Sequence, residues 1–466
     1  MNAPAHPVLD VADRDLCCGC GVCAAICPAG ALEMRLAADG QWRPVVAGEC
    51  RDCGLCAVVC PFHDEAPSVL DRFLESPEES DLGGGEGVRS WVGWATDASL
   101  RWRASSGGLA TLALLHLLER GEIDCALVVT PTLRSKHPLF KAVLARDPQS
   151  ILAGAGSKYY PVEFSSPLRQ LATEGPGAAV VGLPCHCRAI RSALEAVPAL
   201  RRSVRFLFGL TCGHLVTTVF TDVLVAASSR NLREGDRLDY RSKSPDRPSS
   251  NFAFVVMRGG EPAGREVPMT ESVFGAMWWA RAFVPRACDF CPDVFAECAD
   301  ATFMDAWLPE YSGEPAGTSL VVARTGAAVS LLEGLALEGK AELRPVAARD
   351  VVASQQGAVK FKRGWLLPRA SFLAQRGVAV PGSLRDNLVE VPGRLSARFA
   401  HFERNRRLSR AVWRSPLPTA LRLGLLRAVL GLGLTGPAKV TWRALREALK
   451  RRRRSRTFKN ERLGDK

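Results

Sequence analysis

The stretch LCCGCGVCAAICP, Leu16–Pro28, places five cysteines within thirteen residues and ends on proline. Four of them follow the spacing C-x2-C-x2-C-x3-C-P, and the same spacing recurs between Cys50 and Pro61. Three thiolates held two residues apart in one tight loop can bind three corners of an iron–sulfur cube. The sequence therefore predicts two iron–sulfur sites near the start of the chain.

The spacing also assigns the ligands, because in two-cluster ferredoxins the fourth cysteine of each run ligates the other cube. One 4Fe–4S cluster is expected on Cys17, Cys20, Cys23 and Cys60, and the second on Cys50, Cys53, Cys56 and Cys27. The cysteine before each proline is expected to start a helix, and Cys18 is left over as a packed or exposed free thiol. The alternative is a pair of zinc sites, which seldom repeat this spacing.

Glycines next to the ligands, such as Gly19, Gly21 and Gly54, are expected to let backbone amides approach the cluster sulfides. We expect residues 1–64 to form a small α+β ferredoxin-like domain. The N-terminus has neither a basic nor an apolar segment of the secretory kind, so we expect a cytoplasmic, reducing location. In such a compartment, clustered cysteines are more often metal ligands than disulfides.

Further along the chain, strand patterns alternate with helix patterns. An acidic, glycine-rich linker is predicted at 65–87, followed by two parts of one domain at 88–170 and 171–395 and by a basic helical tail at 396–466. The stretches AAVVG and VRFLFGL read as strands, each followed by a cysteine-bearing loop and a helix. This alternation predicts an α/β body with a mostly parallel or mixed sheet.

Two of the remaining cysteines, Cys185 and Cys212, follow the ends of these two strands. Ligands of α/β sheets gather at that edge, so neighbouring strands would bring both thiols to one metal centre. A third 4Fe–4S cluster is therefore assigned to Cys185, Cys212, Cys288 and Cys291. Cys187 and Cys298 stay open as replacement ligands, and the alternative is a zinc knuckle on Cys288, Cys291 and Cys298 with Cys185 as a packed thiol.

The segment from about Val88 to Phe372 resembles the coenzyme F420 hydrogenase/dehydrogenase beta subunit family, whose relatives include 7-hydroxymethyl chlorophyll a reductase. The matching stretches, in order, are SSGGLAT, GSKYY, VVGLPCHCRAIR, FLFGLTCGH, YRSKSP, CDFCPDVFAECADATFMDAWLP and GTSLVVART. Two positions depart from the family pattern, with Cys298 in AEC and Met304 in MDAW. The first departure leaves the ligand set of the third cluster open.

The resemblance implies a flavoprotein that binds FAD and passes electrons between iron–sulfur clusters and an organic hydride carrier or substrate. The implied cofactor-binding residues are Ser105, Ser106, Gly107, Gly108, Lys158, Tyr159, Arg241 and Lys243. Amides at a helix N-terminus suit a phosphate, which gives the SSGG loop a physical rationale. The alternatives are a simple N-cap with a glycine turn at the loop and solvated surface positions for the others.

The catalytic candidates are His186, His214 and Asp305. His186 follows Cys185 by one residue, and His214 follows Cys212 by two. Either histidine could protonate a substrate or a flavin nitrogen. The alternative for both is a hydrogen-bond partner beside the cluster. Asp305 is a candidate for a flavin or substrate contact.

The net charge of +13 is a property of the C-terminal tail. Residues 394–466 carry 21 Lys and Arg against 4 Asp and Glu, so the rest of the chain is slightly acidic. Because apolar and basic stretches alternate there without a membrane-spanning run, the tail predicts either a solvated segment or peripheral contact with anionic membrane. We expect no nucleic-acid partner, because nothing else in the chain supports one.

Together these patterns predict an iron–sulfur flavoprotein oxidoreductase, with a ferredoxin or a partner subunit as redox partner and a small organic substrate or coenzyme F420 as the other. The alternative is an electron-transfer adaptor subunit without its own substrate, for which the relatives suggest a tie to polysaccharide synthesis.

Overall fold

A computed structural model describes residues 7–64, 82, 87–229 and 231–432. The N-terminal domain contains the antiparallel hairpin of β1 (Leu32–Leu36) with β2 (Trp42–Val46). Its described helices are Pro7–Asp13, Val22–Ala25 and Leu55–Val58. The predicted small α+β domain is confirmed.

The cysteines before the prolines do not start helices, which corrects the sequence expectation. The short helices Val22–Ala25 and Leu55–Val58 instead precede Cys27 and Cys60 and carry the third cysteine of each run. The cause is a glycine immediately before each helix with φ near +70° to +80°, a conformation in which glycine alone is unstrained. Each helix therefore begins earlier in the run than predicted.

The described part of the body contains twelve strands. They are β3 (Arg89–Ala95), β4 (Cys125–Pro131), β5 (Phe140–Ala145), β6 (Ala178–Gly182), β7 (Val204–Leu210), β8 (Arg237–Ser242), β9 (Ala253–Arg258), β10 (Glu261–Pro262), β11 (Val267–Pro268), β12 (Ala301–Asp305), β13 (Ser319–Ala323) and β14 (Ala341–Pro345). Eight form one sheet in the order β14-β3-β13-β12-β7-β6-β4-β5. Strands β4, β6, β7 and β12 are parallel to their neighbours within that group, and the flanking pairs are antiparallel. The predicted α/β body with a mixed sheet is confirmed.

Helices surround the sheet and bury its apolar faces. The described body helices are Ala98–Arg103, Leu109–Glu119, Pro148–Ala153, Ser165–Glu174, Pro184–Ala196, Pro198–Ser203, Thr218–Ser228, Val273–Trp279, Pro309–Ser312, Gly326–Leu337, Ala348–Ser354, Gln356–Val359, Leu366–Ala374, Gly382–Arg385, Gly393–Trp413 and Thr419–Val429. A second, antiparallel sheet of β8 to β11 was not predicted. It packs through β9 against the helix Thr218–Ser228.

The N-terminal domain packs directly on the body. The Phe164 amide donates to the carbonyl of Cys20 at 2.9 Å, and the Trp42 indole donates to the carbonyl of Pro161 at 3.1 Å. Gly21 has a φ of +79°, and a Cβ added there would lie 3.0 Å from the main-chain nitrogens of Phe164 and Ser165, so glycine is favoured at this close approach. The first cysteine run therefore faces the interior of the molecule.

The first part of the basic tail is folded onto the body and is not a solvated segment. The helix Gly393–Trp413 buries Phe399 and Val412, and the helix Thr419–Val429 buries Leu425 and Leu426. The charge pattern alone suggested a solvated face, because a sequence does not show that arginines such as Arg406 are buried against the body. None of the described helices is both long and apolar enough to cross a membrane. The most basic stretch, 433–466, lies outside the described residues.

Candidate iron–sulfur and cofactor site

The predicted cluster cysteines lie in three groups. In the first, Cys23 lies beside Cys17, Cys20 and Cys60. Burial, and then these neighbouring thiols, raise the pKa of Cys23, and burial raises the pKa of Cys60 to about 12. Cys20 is the exception, because a hydrogen bond from Cys18 lowers its pKa. Buried thiols that resist ionisation on their own suit a cationic iron centre, which would supply the charge that makes thiolates favourable.

The second group lies toward the surface. Cys56, which follows Gly54 in the short helix, faces Cys27 and Cys50, and its pKa is raised mainly by burial. Cys53 is exposed, and its place in the run assigns it to the same group. Cys56 also neighbours Cys23 and Cys60, so the first two groups are adjacent.

The third group is formed by cysteines far apart in the sequence. Cys212 has Cys288, Cys185 and Cys291 as neighbours, and Cys288 faces Cys185 and Cys291 in turn. Burial is the main cause that raises the pKa of Cys212, and it raises the pKa of Cys288 to about 12. The four residues predicted for a third cluster therefore do come together.

The sheet explains this convergence. Strands β6 and β7 are parallel neighbours, and Cys185 and Cys212 follow their carboxyl ends. The segment predicted as a loop around Cys185 is instead the first turn of the helix Pro184–Ala196, where proline at the first position is favourable. Cys288 lies in the short turn Arg286–Asp289, and its Sγ accepts the amide of Leu215 at 3.3 Å.

Lys362 places a buried cation against the third group. Its side chain is 2% exposed, and its ammonium lies near Cys291, Cys212 and Cys288. Burial alone would lower the pKa of Lys362, but these thiols and Asp293 raise it above the ordinary value. The sequence patterns gave no signal for this residue, because a lysine among the basic residues of KFKRG is typical of a surface position.

Cys18 links the first and third groups. Its hydrogen bonds to Cys185 and then to Cys20, together with burial, raise the pKa of the Cys18 thiol. His186 lies beside Cys185, with its Nδ1 3.6 Å from the sulfur and its Nε2 3.1 Å from the carbonyl of Val162. Burial opposes protonation of His186, but Cys185 and Cys20 raise its pKa to about 9. The leftover thiol of the first run is thus a buried bridge.

The two open candidates for the third group have other contacts. Cys187 is fully buried, with its Sγ 3.5 Å from the carbonyl of Gly182, and it faces Asp293 and Cys298. The Cys298 carbonyl accepts two bonds from Arg191. Within the described residues, no three His, Cys, Asp or Glu side chains converge closely enough to hold a single metal ion.

A polar seam next to the third group contains several of the predicted cofactor residues. The Arg241 guanidinium donates to both carboxylate oxygens of Asp305, at 2.7 and 2.9 Å, and lies 4.2 Å from the centre of the Phe252 ring. Burial raises the pKa of Tyr159, which neighbours Arg241, Asp305 and Cys212. We call the residues Tyr159, Arg241, Lys243 and Asp305 the polar seam.

The SSGG loop forms the far side of this seam. The ammonium of Lys243 donates to the carbonyls of Arg101, Ser106 and Ala316 at 2.6 to 3.1 Å. Ser106 donates to the carbonyl of Thr318 at 2.7 Å, and the Gly107 amide donates to Ser319 Oγ at 2.9 Å. These polar groups therefore tie the loop to β13 and β8 in this structure.

The remaining loop residues also contact the protein. Ser105 Oγ accepts the amide of Ser157 at 2.5 Å, and Gly108 caps the helix Leu109–Glu119 with φ +87°. The Lys158 ammonium donates to the carbonyls of Gly154, Ala155 and Gly156, at the end of the helix Pro148–Ala153. Lys158 is thus a helix C-cap, a role that a sequence pattern does not distinguish from a phosphate contact.

His214 lies between the third group and an aromatic cluster. Its ring centroid is 4.0 Å from that of Trp278, and its Nδ1 is 3.1 Å from an Arg281 nitrogen. Burial, and then the charges of Arg281 and Lys362, hold the pKa of His214 well below its ordinary value. Its Nε2 is buried without a hydrogen-bond partner among the described residues.

Comparisons with known proteins match three stretches of the chain to family models. Residues 90–169 match the family model described as coenzyme F420 hydrogenase/dehydrogenase, beta subunit N-term, and residues 177–349 match the corresponding C-terminus model. Residues 9–65 match a 4Fe-4S dicluster domain model.

Two curated proteins are similar over part of the chain. One, a subunit of the F(420)H(2) dehydrogenase of Methanosarcina mazei, is 28% identical over 215 residues, which cover 44% of this chain and 55% of that protein. An uncharacterized protein of Methanocaldococcus jannaschii is 26% identical over 226 residues, covering 44% of this chain and 61% of that protein. The matches thus span little more than half the length of these relatives.

A solved chain from the F420-reducing [NiFe] hydrogenase complex of Methanosarcina barkeri superposes with a TM-score of 0.48 at 18% identity. The superposition covers 65% of this chain and 98% of that chain.

Proposed function

Because the chain belongs to the coenzyme F420 hydrogenase/dehydrogenase beta subunit family and carries a 4Fe-4S dicluster domain, we propose that it is an iron–sulfur flavoprotein oxidoreductase. It passes electrons through three 4Fe–4S clusters and FAD to a small organic substrate or to coenzyme F420. Clusters exchange single electrons, and a flavin combines two of them into a hydride-level step.

The observation that carries this proposal is the unbroken order of the cysteine groups. Cys56 of the second group neighbours Cys23 of the first, and Cys18 bridges the first group to Cys185 of the third. Cys212 of the third group then neighbours Tyr159 in the polar seam. Electrons have one continuous route from an exposed end to a buried one.

The residues fit the clusters by their chemistry. Each of the three groups offers thiols, the ligands of iron–sulfur cubes. At the third group, a buried ammonium at Lys362 faces these thiols, and a buried charge is favourable only beside an opposite charge. Four thiolates around an iron–sulfur cube supply that negative charge.

The polar seam is the proposed flavin site. Tyr159 offers a ring beside the third group, Arg241 and Asp305 offer a fixed ion pair, and His214 offers an Nε2 without a partner in the described part of the chain. Such a buried imidazole nitrogen costs free energy, which a flavin or substrate polar group would recover. Lys243 and the SSGG loop close the seam on its other side.

The redox partner is proposed to dock over the second group, because Cys53 is exposed there. Its class is a ferredoxin or a partner subunit. A second contact is proposed between anionic membrane and the stretch 433–466. This stretch contains 12 Lys and Arg against three Asp and Glu, and such a basic segment is attracted to anionic lipids.

The test is anaerobic purification with iron, acid-labile sulfide and flavin counts. About twelve irons and one FAD per chain are expected, since each cube holds four irons. A count of about eight irons without flavin would support only the two clusters of the dicluster domain and would contradict the third cluster and the flavin site. The Arg241→Ala variant is expected to lose flavin but keep its iron, and Arg247→Ala, which removes a half-exposed ion pair with Glu266, is the matched control.

The second candidate is an electron-transfer adaptor without its own substrate. It is favoured by the M. mazei relative, which is named as a subunit of a dehydrogenase. Reduction of a small organic acceptor by the purified chain alone, supplied with dithionite, would exclude the adaptor.

A further inference from the structure

We infer that Lys362 gives the third cysteine group the highest reduction potential of the three clusters, so that electrons collect there beside the polar seam. The inference rests on the proposed third cluster. The proposed function gives the order of the three clusters and the flavin. The inference adds the direction in which electrons flow between the clusters and names Lys362 as the residue that sets it.

The first step is the position of the Lys362 charge. Its ammonium donates to the main-chain carbonyls of Cys212, at 3.1 Å, and Asp293. Those acceptors are uncharged, so the hydrogen bonds fix the ammonium in place without neutralising it. All four thiols of the third group, Cys185 included, lie within its electrostatic reach.

The second step is the surrounding charge. Arg281 and Arg369 also lie near this group, but both contact Asp289, Arg281 at its carboxylate and Arg369 at its carbonyl. Asp293 is fully buried, and its carboxylate oxygens accept no hydrogen bond among the described residues. Asp293 and Asp289 offset two of the three positive charges of Lys362, Arg281 and Arg369, so the local balance stays positive.

The third step is a comparison with the N-terminal domain. The cation beside Cys17 is Arg43, whose side chain is 30% exposed and paired with Asp15 and Asp39. Solvent and these carboxylates screen the charge of Arg43. His186 lies beside the first and the third group alike, so its charge does not separate the two clusters. A buried ammonium is screened far less, because the effective dielectric constant around it is lower.

The consequence follows from charge alone. Reduction adds one electron to the third cluster and takes it from a reduced N-terminal cluster, and no bond or proton moves. A fixed cation stabilises the more negative, reduced form, and the net charge around a cluster is one of the terms that set its potential. Transfer from the dicluster domain to the third cluster is therefore downhill.

The test is an electron paramagnetic resonance titration of the anaerobic full-length protein against solution potential. Lys362→Met is expected to make the reduction of one cluster at least tenfold less favourable. For a one-electron step, this lowers the midpoint potential of that cluster signal by at least about 59 mV. The other two midpoints should stay fixed. Lys360→Met is the matched control, since Lys360 is exposed in the same turn and should shift none of them.

An unshifted midpoint in Lys362→Met would overturn the inference, as would a shift equal to that of Lys360→Met. If Lys362→Met loses the third cluster, Lys362→Arg decides. Retention of twelve irons and of the midpoint by the arginine variant supports a role for the charge, and loss of four irons in both variants refutes it. A wild-type protein with only two cluster signals would instead contradict the proposed function itself.

Discussion

Asp289 connects the C-terminal helix to the third cysteine group, and its removal gives a sharp test of the packing described above. The carboxylate is 2.7 Å from Arg406 of the helix Gly393–Trp413, 3.1 Å from Arg286 and 3.5 Å from Arg281. Burial alone would raise the pKa of Asp289, but Arg406, Arg281 and Arg286 hold it well below its usual range. Asp289 is therefore charged at neutral pH.

The perturbation is Asp289→Asn, which keeps the shape and removes the charge. The side chains of Arg281 and Arg406 are each 6% exposed, so both guanidiniums would stay buried without their main counter-charge. Breaking a buried ion pair from one side costs about 3–5 kcal/mol of folding free energy. Glu403 still contacts Arg286 and Arg406, so the lower end, about 3 kcal/mol, is expected.

The assay is anaerobic urea unfolding followed by circular dichroism, with limited proteolysis as a local probe of the helix Gly393–Trp413. The matched control is Glu266→Gln, which removes the carboxylate from a half-exposed pair with Arg247 and should cost no more than about 1 kcal/mol. If Asp289→Asn loses no more stability than this control, and the helix is not cleaved faster, the network does not hold the helix in place.

Three further predictions concern other parts of the chain. Cys18→Ala removes the hydrogen bond that Cys18 makes to the Cys185 sulfur, so it should lower the midpoint potential of the third-cluster signal while the iron content stays unchanged. An unchanged midpoint potential would contradict the role of Cys18 as a bridge between the first and third groups. Burial lowers the pKa of Lys158 and of Lys243 to about 7, below the unfolded value, so at these two side chains the unfolded chain binds more protons between pH 7 and 10. The two lysines therefore contribute a stability that rises with pH across that window, opposite in sign to the contribution of His186. Lys158→Met should remove about half of the lysine contribution, measured as the difference in unfolding midpoint between the variant and the wild type at pH 7 and pH 10. Truncation after residue 432 should abolish binding to anionic liposomes, and liposome binding retained by that truncation would contradict the membrane contact. Truncation after residue 392 removes the helices Gly393–Trp413 and Thr419–Val429 and should lower the unfolding midpoint.

The sequence was most informative where chemistry requires a fixed spacing. The two cysteine runs, the strands β6 and β7 and the fold class were predicted from local patterns, because ligand spacing and strand alternation are local properties. The helix starts near Cys27 and Cys60 were misplaced, since the preceding glycines decide where those helices begin. The second sheet was missed, because its four strands are short or lie among loop-like residues.

The contacts that tie the sites together were beyond local patterns. Lys158 was predicted to contact a phosphate and Lys243 an anionic substrate or cofactor, and local patterns did not show that their ammonium groups bond main-chain carbonyls of nearby and distant loops. Lys362 gave no signal at all, although it faces the whole third group. The contacts of long, flexible lysine and arginine side chains are fixed only in the folded chain. A sequence therefore shows their charge but not which carboxylate, carbonyl or thiol they contact.

The third cysteine group depends on more of the chain than the matched family domains. The beta-subunit models end at residue 349, but Lys362, Arg369 and Arg406 all lie beyond that point and reach the third group or the loop that carries Cys288. The buried carboxylate of Asp289 needs the charge of Arg406, and thiolates on a cluster would need that of Lys362, because buried negative charge is costly without a partner. The set of residues packed around the third cysteine group therefore extends into the helix Gly393–Trp413, and part of the basic composition of this helix is explained by its ion pair with the buried Asp289.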